Sequence, residues 1–265
     1  MGLNEIRYPV ELLSLSHLVF LLVLLPAAVF LAVFFSRKYG YKREVVLICA
    51  LITLVCKIEK VFFFIGAGHR YHLPFNLCPF QIFLTFLIFF LALSDPPKKR
   101  RAMLAFMYPT MVGIGFMGML IPYAANEFHG LFDIATYRYF IYHALLVFLG
   151  FYIYFSKPIR FSITDFGTAL AQVSMIPIFA VWMNGFFGWD PMVNYMFVVR
   201  PPMNGLPILN LNNGWPAYML SLVWIGLTIL ALCYIKAIVR DVPRLVRITM
   251  KRRRKRRAAA LSDNR

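Results

Sequence analysis

The sequence predicts an all-α fold: a polytopic membrane helical bundle of seven transmembrane helices, with the N-terminus outside and the C-terminus in the cytoplasm. Three observations carry this expectation. The 265 residues are 61% hydrophobic and 15% charged, with a mean hydropathy of +0.70, more apolar than one soluble core requires. Seven stretches approach the roughly 20 apolar residues that cross a bilayer as a helix. The short joints between them alternate between rich and poor in Lys and Arg.

The first span, His17–Ser36, has no basic leader and reads as a retained helix; were it a cleaved signal, six spans would remain. Val45–Gly66 follows, with Lys57, Glu59 and Lys60 inside its apolar run. The third span, Leu73–Ser94, begins within His72-Leu-Pro-Phe-Asn-Leu-Cys-Pro-Phe-Gln81, where Pro79 suits a first helical turn. Met103–Tyr123, Arg138–Ser156, Gly167–Gly188 and Trp215–Ile235 complete the set. Residues 1–240 are thus expected to form the transmembrane domain and 241–265 a basic cytoplasmic tail.

Orientation follows from counting cations. The joints at Arg37–Glu44, Asp95–Ala102 and Lys157–Phe166, with the chain from Lys236 onward, hold 22 of the 28 Lys and Arg. The other face holds Arg7, Arg70, Arg138 and Arg200. Seven alternating spans put every rich segment on one face, which the positive-inside rule assigns to the cytoplasm of a multi-pass cell-membrane protein. The formal net charge of +17 is therefore local, and the run Lys251-Arg-Arg-Arg-Lys-Arg-Arg257 reads as a contact for anionic inner-leaflet lipid; no nucleic acid partner is expected. Cys49, Cys56, Cys78 and Cys233 form no CxxC or Cys/His cluster, so neither a disulfide framework nor a metal site is indicated, and no cofactor is expected.

On this topology His17, His69, His72, His129 and His143 all fall on the outer side, with Asn76, Cys78, Gln81, Asn126, Arg138, Asn184, Asp190, Asn194, Tyr195, Asn204 and Trp215 around them. Each alone is comfortable at headgroup depth; together they suggest a site. Lys57 and Lys60 share a helix face, turned either to the bundle interior or a watery cavity or, by snorkelling, to the outer headgroups; Glu59, with no basic residue at i±3 or i±4, needs a counter-charge elsewhere. Membrane lipids are the expected partners, and a second reading makes the chain a solute-binding or transport protein centred on Lys57, Glu59 and Lys60. A third makes it a scaffold that holds a partner by its tail. A thiol at the start of a helix, near imidazoles, is placed for nucleophilic chemistry, although a lone membrane Cys also serves as a small apolar side chain. His143, about one turn into the fifth span, is placed either as a general base or as a structural hydrogen-bonding group.

Ser14-Leu-Ser-His17, Leu73-Pro-Phe-Asn-Leu-Cys78, the run from Tyr108-Pro to Phe140-Ile-Tyr-His143, Asn194-Tyr-Met-Phe197 with Pro202, and Gly214-Trp-Pro-Ala-Tyr218 resemble the bacterial YwaF-like integral membrane family. That family in turn looks similar to a eukaryotic transmembrane acyltransferase that moves fatty acyl chains between phospholipids and requires a cysteine in the matching motif. The resemblance implies Cys78 as acyl acceptor, His143 as its base, and His17, Asn194 and Tyr195 as residues lining the same pocket; the leading reading is a lipid-modifying membrane enzyme in which Cys78, activated by His143 or His17, carries the acyl group as a thioester. Asn76 or Asn194 would stabilise the oxyanion, and Gln81, Glu59, Lys60 and Trp215 complete the candidate substrate contacts. The chain departs from the family pattern at Phe75-Asn76 and at Gly214-Trp-Pro-Ala-Tyr218.

Overall fold

The structure, a computed structural model, describes residues 12–67, 77–93, 100–122, 134–186, 189, 197–201, 206 and 208–262, with the side chains of 57–67, 77–83, 85, 135 and 252–262 left aside. Seven helices form among these residues: α1 Leu15–Tyr39, α2 Arg43–Ala67, α3 Leu77–Leu93, α4 Arg101–Leu120, α5 Ile134–Ser156, α6 Ile163–Phe186 and α7 Gly214–Ser262. Five of them, α1 and α4 to α7, are long and apolar enough to cross a membrane. Helices suit such sequences because a helix satisfies its own backbone hydrogen bonds where lipid offers no partner.

Local signals set the boundaries. Ser14 caps α1 by accepting the His17 N–H, and Gly40, at φ 64°, ends it by donating to the Ser36 carbonyl beside Arg37 and Lys38. At the start of α6 the Asp165 carboxylate accepts from the Ser162 N–H at 2.7 Å, the reach-back half of a capping box. Two helices start one turn before the sequence expectation: α5 begins at Ile134 instead of Arg138 and α6 at Ile163 instead of Gly167, while the expected start of the third span at Leu73 lies outside the described residues. His143 consequently lies about two and a half turns into its helix, deeper than the sequence suggests. The seventh helix does not stop near Ile235 but runs 49 residues to Ser262, because the basic tail is built from good helix formers and holds only Pro243 as a breaker.

α4 and α5 form the centre of the bundle, with α1 and α2 against α5, α6 and α7 against α4, and α3 against α2. The two central backbones approach closely because α4 presents glycine to α5. A Cβ at Gly115 would lie 2.7 Å from the His143 carbonyl oxygen and 2.8 Å from Val147. Small residues at such contacts let helices associate where lipid removes the hydrophobic drive.

Hydrogen bonds gather the basic joints at one end of the bundle. The Tyr152 hydroxyl donates to the Gly40 carbonyl and accepts from the Lys42 N–H, each at 2.8 Å, tying the α1–α2 turn to α5. Arg101 of α4 forks onto both oxygens of Asp165 and donates to the Arg160 carbonyl at 3.0 Å. Arg240 of α7 donates to the Phe161 carbonyl at 2.7 Å, and Asp241 accepts from the Ile163 N–H at 3.1 Å. The α5–α6 joint is thus clamped from two helices, and both cations of the clamp are spent inside the protein.

The clamp carboxylates precede or follow the apolar segments of their helices. Burial raises the Asp165 pKa, but hydrogen bonds from Arg101 and Ser162 outweigh it and hold the carboxyl below its ordinary value. Asp241 is held down to about 2, chiefly by its hydrogen bonds with Arg240.

Candidate functional site

A cavity of about 310 Å³ lies between α4, α5, α6 and α7. It spans α4 from Pro109 to Ile121, and α6 and α7 close it with Leu170, Val173, Pro177, Leu222, Gly226 and Leu230. Phe197, Val198 and Leu209, from the segment joining α6 to α7, cover the end remote from the basic joints. That segment is held to α7 by the Trp215 indole, which donates to the Val198 carbonyl at 2.8 Å, and by the Tyr218 hydroxyl, which donates to the Phe197 carbonyl. The wall is overwhelmingly apolar.

Among the described residues its titratable lining consists of Tyr139 and His143, one turn apart on α5. The His143 ring is 2% exposed, and its Nδ1 lies 2.8 Å from the Tyr139 carbonyl oxygen. A carbonyl only accepts, so Nδ1 carries the hydrogen and Nε2 is the basic nitrogen of the neutral ring. The Tyr139 hydroxyl donates to the Gly118 carbonyl at 2.7 Å and approaches that of Ile121 at 3.3 Å, and its ring packs 4.2 Å from the imidazole. The ring fits only because residue 118 lacks a side chain: a Cβ there would stand 2.0 Å from His143 Cδ2 and 2.3 Å from Nε2.

His17 is placed differently. The Leu13 N–H donates to its Nδ1 at 3.0 Å, and its Nε2 lies 2.7 Å from the Met119 carbonyl oxygen. These partners fix Nε2 as the protonated nitrogen and engage both ring atoms. The ring is fully buried beside Phe140 and is not part of the cavity lining. Both imidazoles therefore meet the last turn of α4, one on the cavity side and one on the side of α1.

Cys78 is the second residue of α3, and the direction of that helix places its backbone. Arg100, at the basic end, sits 4.5 Å over the Phe90 ring, so the backbone of Cys78, twelve residues and about 18 Å earlier, lies toward the opposite end, with His17 and His143. The side chains of Cys78 and Gln81 lie outside the described residues, as do those of Lys57, Glu59 and Lys60 on α2, while Asn76, Asn194 and Tyr195 lie outside them altogether. Trp215 is described and anchors the connecting segment instead of facing the cavity. Among the described residues no group of three or more His, Cys, Asp and Glu side chains is arranged to hold a metal.

Tyr139, Gly118 and the cavity carry no motif that marks them in the sequence. Gly113, Gly115 and Gly118 on one apolar helix were the available signal, since small residues in a membrane span mark close packing. What they pack against depends on α5, α6 and α7 together.

Comparison with known proteins bears on the whole bundle. The family model of the TMEM164 family, a transmembrane family, matches residues 12–234. The chain belongs to the TMEM164 family. The matched range takes in every helix from α1 to α6 and the apolar part of α7, stopping at Tyr234, before the clamp residues Arg240 and Asp241. Family membership and five long apolar helices together mark a membrane protein. No curated protein and no solved structure matches the chain.

Proposed function

We propose that this member of the TMEM164 family is a membrane-embedded lipid-modifying enzyme that transfers an acyl group from a phospholipid through a thioester on Cys78. The observation that carries the reading is His143: a buried imidazole that lines an apolar cavity and is oriented by the hydrogen bond of its Nδ1 with the Tyr139 carbonyl. In the first step the Cys78 sulfur attacks the ester carbonyl of a phospholipid, a sulfur–carbon bond forms and the ester carbon–oxygen bond breaks. His143 takes the thiol proton and returns it to the departing lysolipid oxygen. In the second step a hydroxyl of another lipid, or water, attacks the thioester and gives its proton to His143 as the thiolate leaves. Asn76 or Asn194 stabilises the oxyanion of each tetrahedral intermediate. His17, with both nitrogens engaged by backbone groups, has a structural role, holding the start of α1 against the end of α4.

The reading includes the topology inferred from charge: seven spans in the cell membrane, N-terminus outside, and the basic end of α7 in the cytoplasm against anionic lipid. It also retains the YwaF-like resemblance carried by the motifs around His17, Cys78 and His143. The test is intact-mass analysis of purified protein in phospholipid vesicles after exposure to a fatty-acyl thiol-reactive probe. One acyl adduct is expected, absent in Cys78→Ser and slower to form in His143→Ala. A folded wild-type protein that stays unlabelled at Cys78 overturns the proposal.

A further inference from the structure

The cavity carries chemistry beyond its contact with His143. Among the described residues its titratable groups stand at one end, and at the other the Thr110 hydroxyl is taken up by the Phe106 carbonyl of its own helix at 2.6 Å. Tyr139 and His143 stand near Gly118, while Pro109 on α4 and Leu230 on α7 bound the other end, nine residues or about 14 Å along α4. Past that apolar end the rings of Tyr108, Phe161 and Tyr234 close the space, beginning one residue beyond Pro109 and one turn beyond Leu230. A ligand matching this shape is slender, apolar for most of its length and polar at one tip. At about 310 Å³ the volume is at the low end of ligand pockets.

The side of the cavity is defined by α6 and α7. Toward the basic end the two helices are pinned where the Ile163 N–H donates to Asp241 and Phe166 packs on Tyr234. At the opposite end Trp189 meets Trp215 edge to face at 6.1 Å. Between these pins the cavity walls include Ser174, Val223 and Leu227, all exposed, and the neighbouring Ile178 and Trp224 are 60% and 67% exposed apolar side chains. On apolar helices of a membrane protein, the medium at that flank is lipid tails.

We infer that the cavity is a side-loading slot for a single acyl chain of a membrane phospholipid, which enters between α6 and α7 and brings its ester end toward Tyr139 and His143. The inference deepens the acyl-transfer reading and rests on it for the fate of the ester. Gly226 provides a direct probe, because it lines the slot and a Cβ built on it meets no atom within 4 Å. A side chain at that position starts in open space, so a larger one is expected to occupy the slot.

The experiment uses the full-length protein in phosphatidylglycerol vesicles carrying a small fraction of the same lipid with a diazirine in one acyl chain. After irradiation, cross-linked peptides are mapped by mass spectrometry in wild type, Cys78→Ala, Gly226→Phe and the lipid-facing control Leu232→Phe, each first checked for an unchanged thermal midpoint. Should Gly226→Phe fail that check, Gly226→Leu replaces it. Cross-links are expected on Val173, Leu222 and Ile225, retained in Cys78→Ala and Leu232→Phe and reduced roughly tenfold or more in Gly226→Phe, a change of about 1.4 kcal/mol in occupancy. Labelling confined to outward positions such as Phe30 and Val55, or cavity labelling indifferent to Gly226→Phe, overturns the slot. The acyl adduct on Cys78 is scored separately, so cross-links without an adduct sink the thioester reading alone and an adduct without cavity cross-links sinks the slot alone.

Discussion

The imidazole of His143 occupies the space that a side chain at residue 118 would need, so Gly118 and His143 form one packed unit between α4 and α5. Gly118→Ala places a methyl carbon 2.0 Å from His143 Cδ2, and the ring must move. We expect a stability loss of about 1–3 kcal/mol from overpacking, and acylation of Cys78 slowed about as much as in His143→Ala. Thermal unfolding and adduct kinetics on the same samples check both parts; an alanine variant with wild-type kinetics refutes the positioning role of Gly118.

Tyr139→Phe removes the hydroxyl that donates to the Gly118 carbonyl while leaving the backbone carbonyl that orients His143. The expected cost is about 0.5–1.5 kcal/mol of stability, with the pH dependence of adduct formation unchanged because the Nδ1 partner of the imidazole is preserved. A shifted pH profile in Tyr139→Phe would mean that the hydroxyl itself enters the chemistry.

His17 engages both ring nitrogens with backbone partners that a phenyl ring cannot replace. His17→Phe is expected to lower stability by about 1–3 kcal/mol through the unsatisfied Leu13 N–H and Met119 carbonyl, with the acylation rate per folded molecule retained. Rate and folded fraction measured together distinguish this from a catalytic role, which would abolish the rate at full folding.

Arg101→Ala leaves the Asp165 carboxylate, 5% exposed, with only its Ser162 donors. A loss of about 1–3 kcal/mol is expected, and Asp165→Asn in the same background should recover part of it by removing the stranded charge. Denaturation midpoints of the two single variants and the double variant test the coupling, and strict additivity would deny it.

Acid should loosen the same end. The Asp165 and Asp241 carboxyls both titrate lower in the folded chain than in the unfolded one. Their contribution is therefore complete above the unfolded carboxyl value, near 3.8, and is lost as pH falls toward the folded value, about 2 for Asp241. Hydrogen exchange of the 157–163 amides between pH 4 and pH 2, compared with amides around Gly118, should show protection lost first in the clamp.

Much of this architecture was legible in the chain. Apolar runs of bilayer length located all seven helices, and the alternating wealth of Lys and Arg anticipated that the joints before α2, before α4 and after α5 would share an end. Helix extents were less legible where no composition change marked them. Nothing polar enough stops α7 at Ile235, since Lys and Arg extend a helix as readily as Leu does, and α5 gains a turn before Arg138. For the site, His143 was singled out by type and depth, but the features that give it a role are relational. The Tyr139 carbonyl, the missing side chain at Gly118 and the walls from α6 and α7 come together only in three dimensions.

The unbroken course of α7 gives the clamp a second office. Gly226 and Asp241 belong to one helix, fifteen residues and about 22 Å apart, with about 100° of turn for each residue between them. When Asp241 docks on the Ile163 amide and Arg240 on the Phe161 carbonyl, the azimuth of the entire rod is indexed, including the face that α7 turns toward the cavity. One residue inserted after Ile235 would leave every contact partner in the sequence and yet put the clamp out of phase with Gly226, so the two ends could not both be seated.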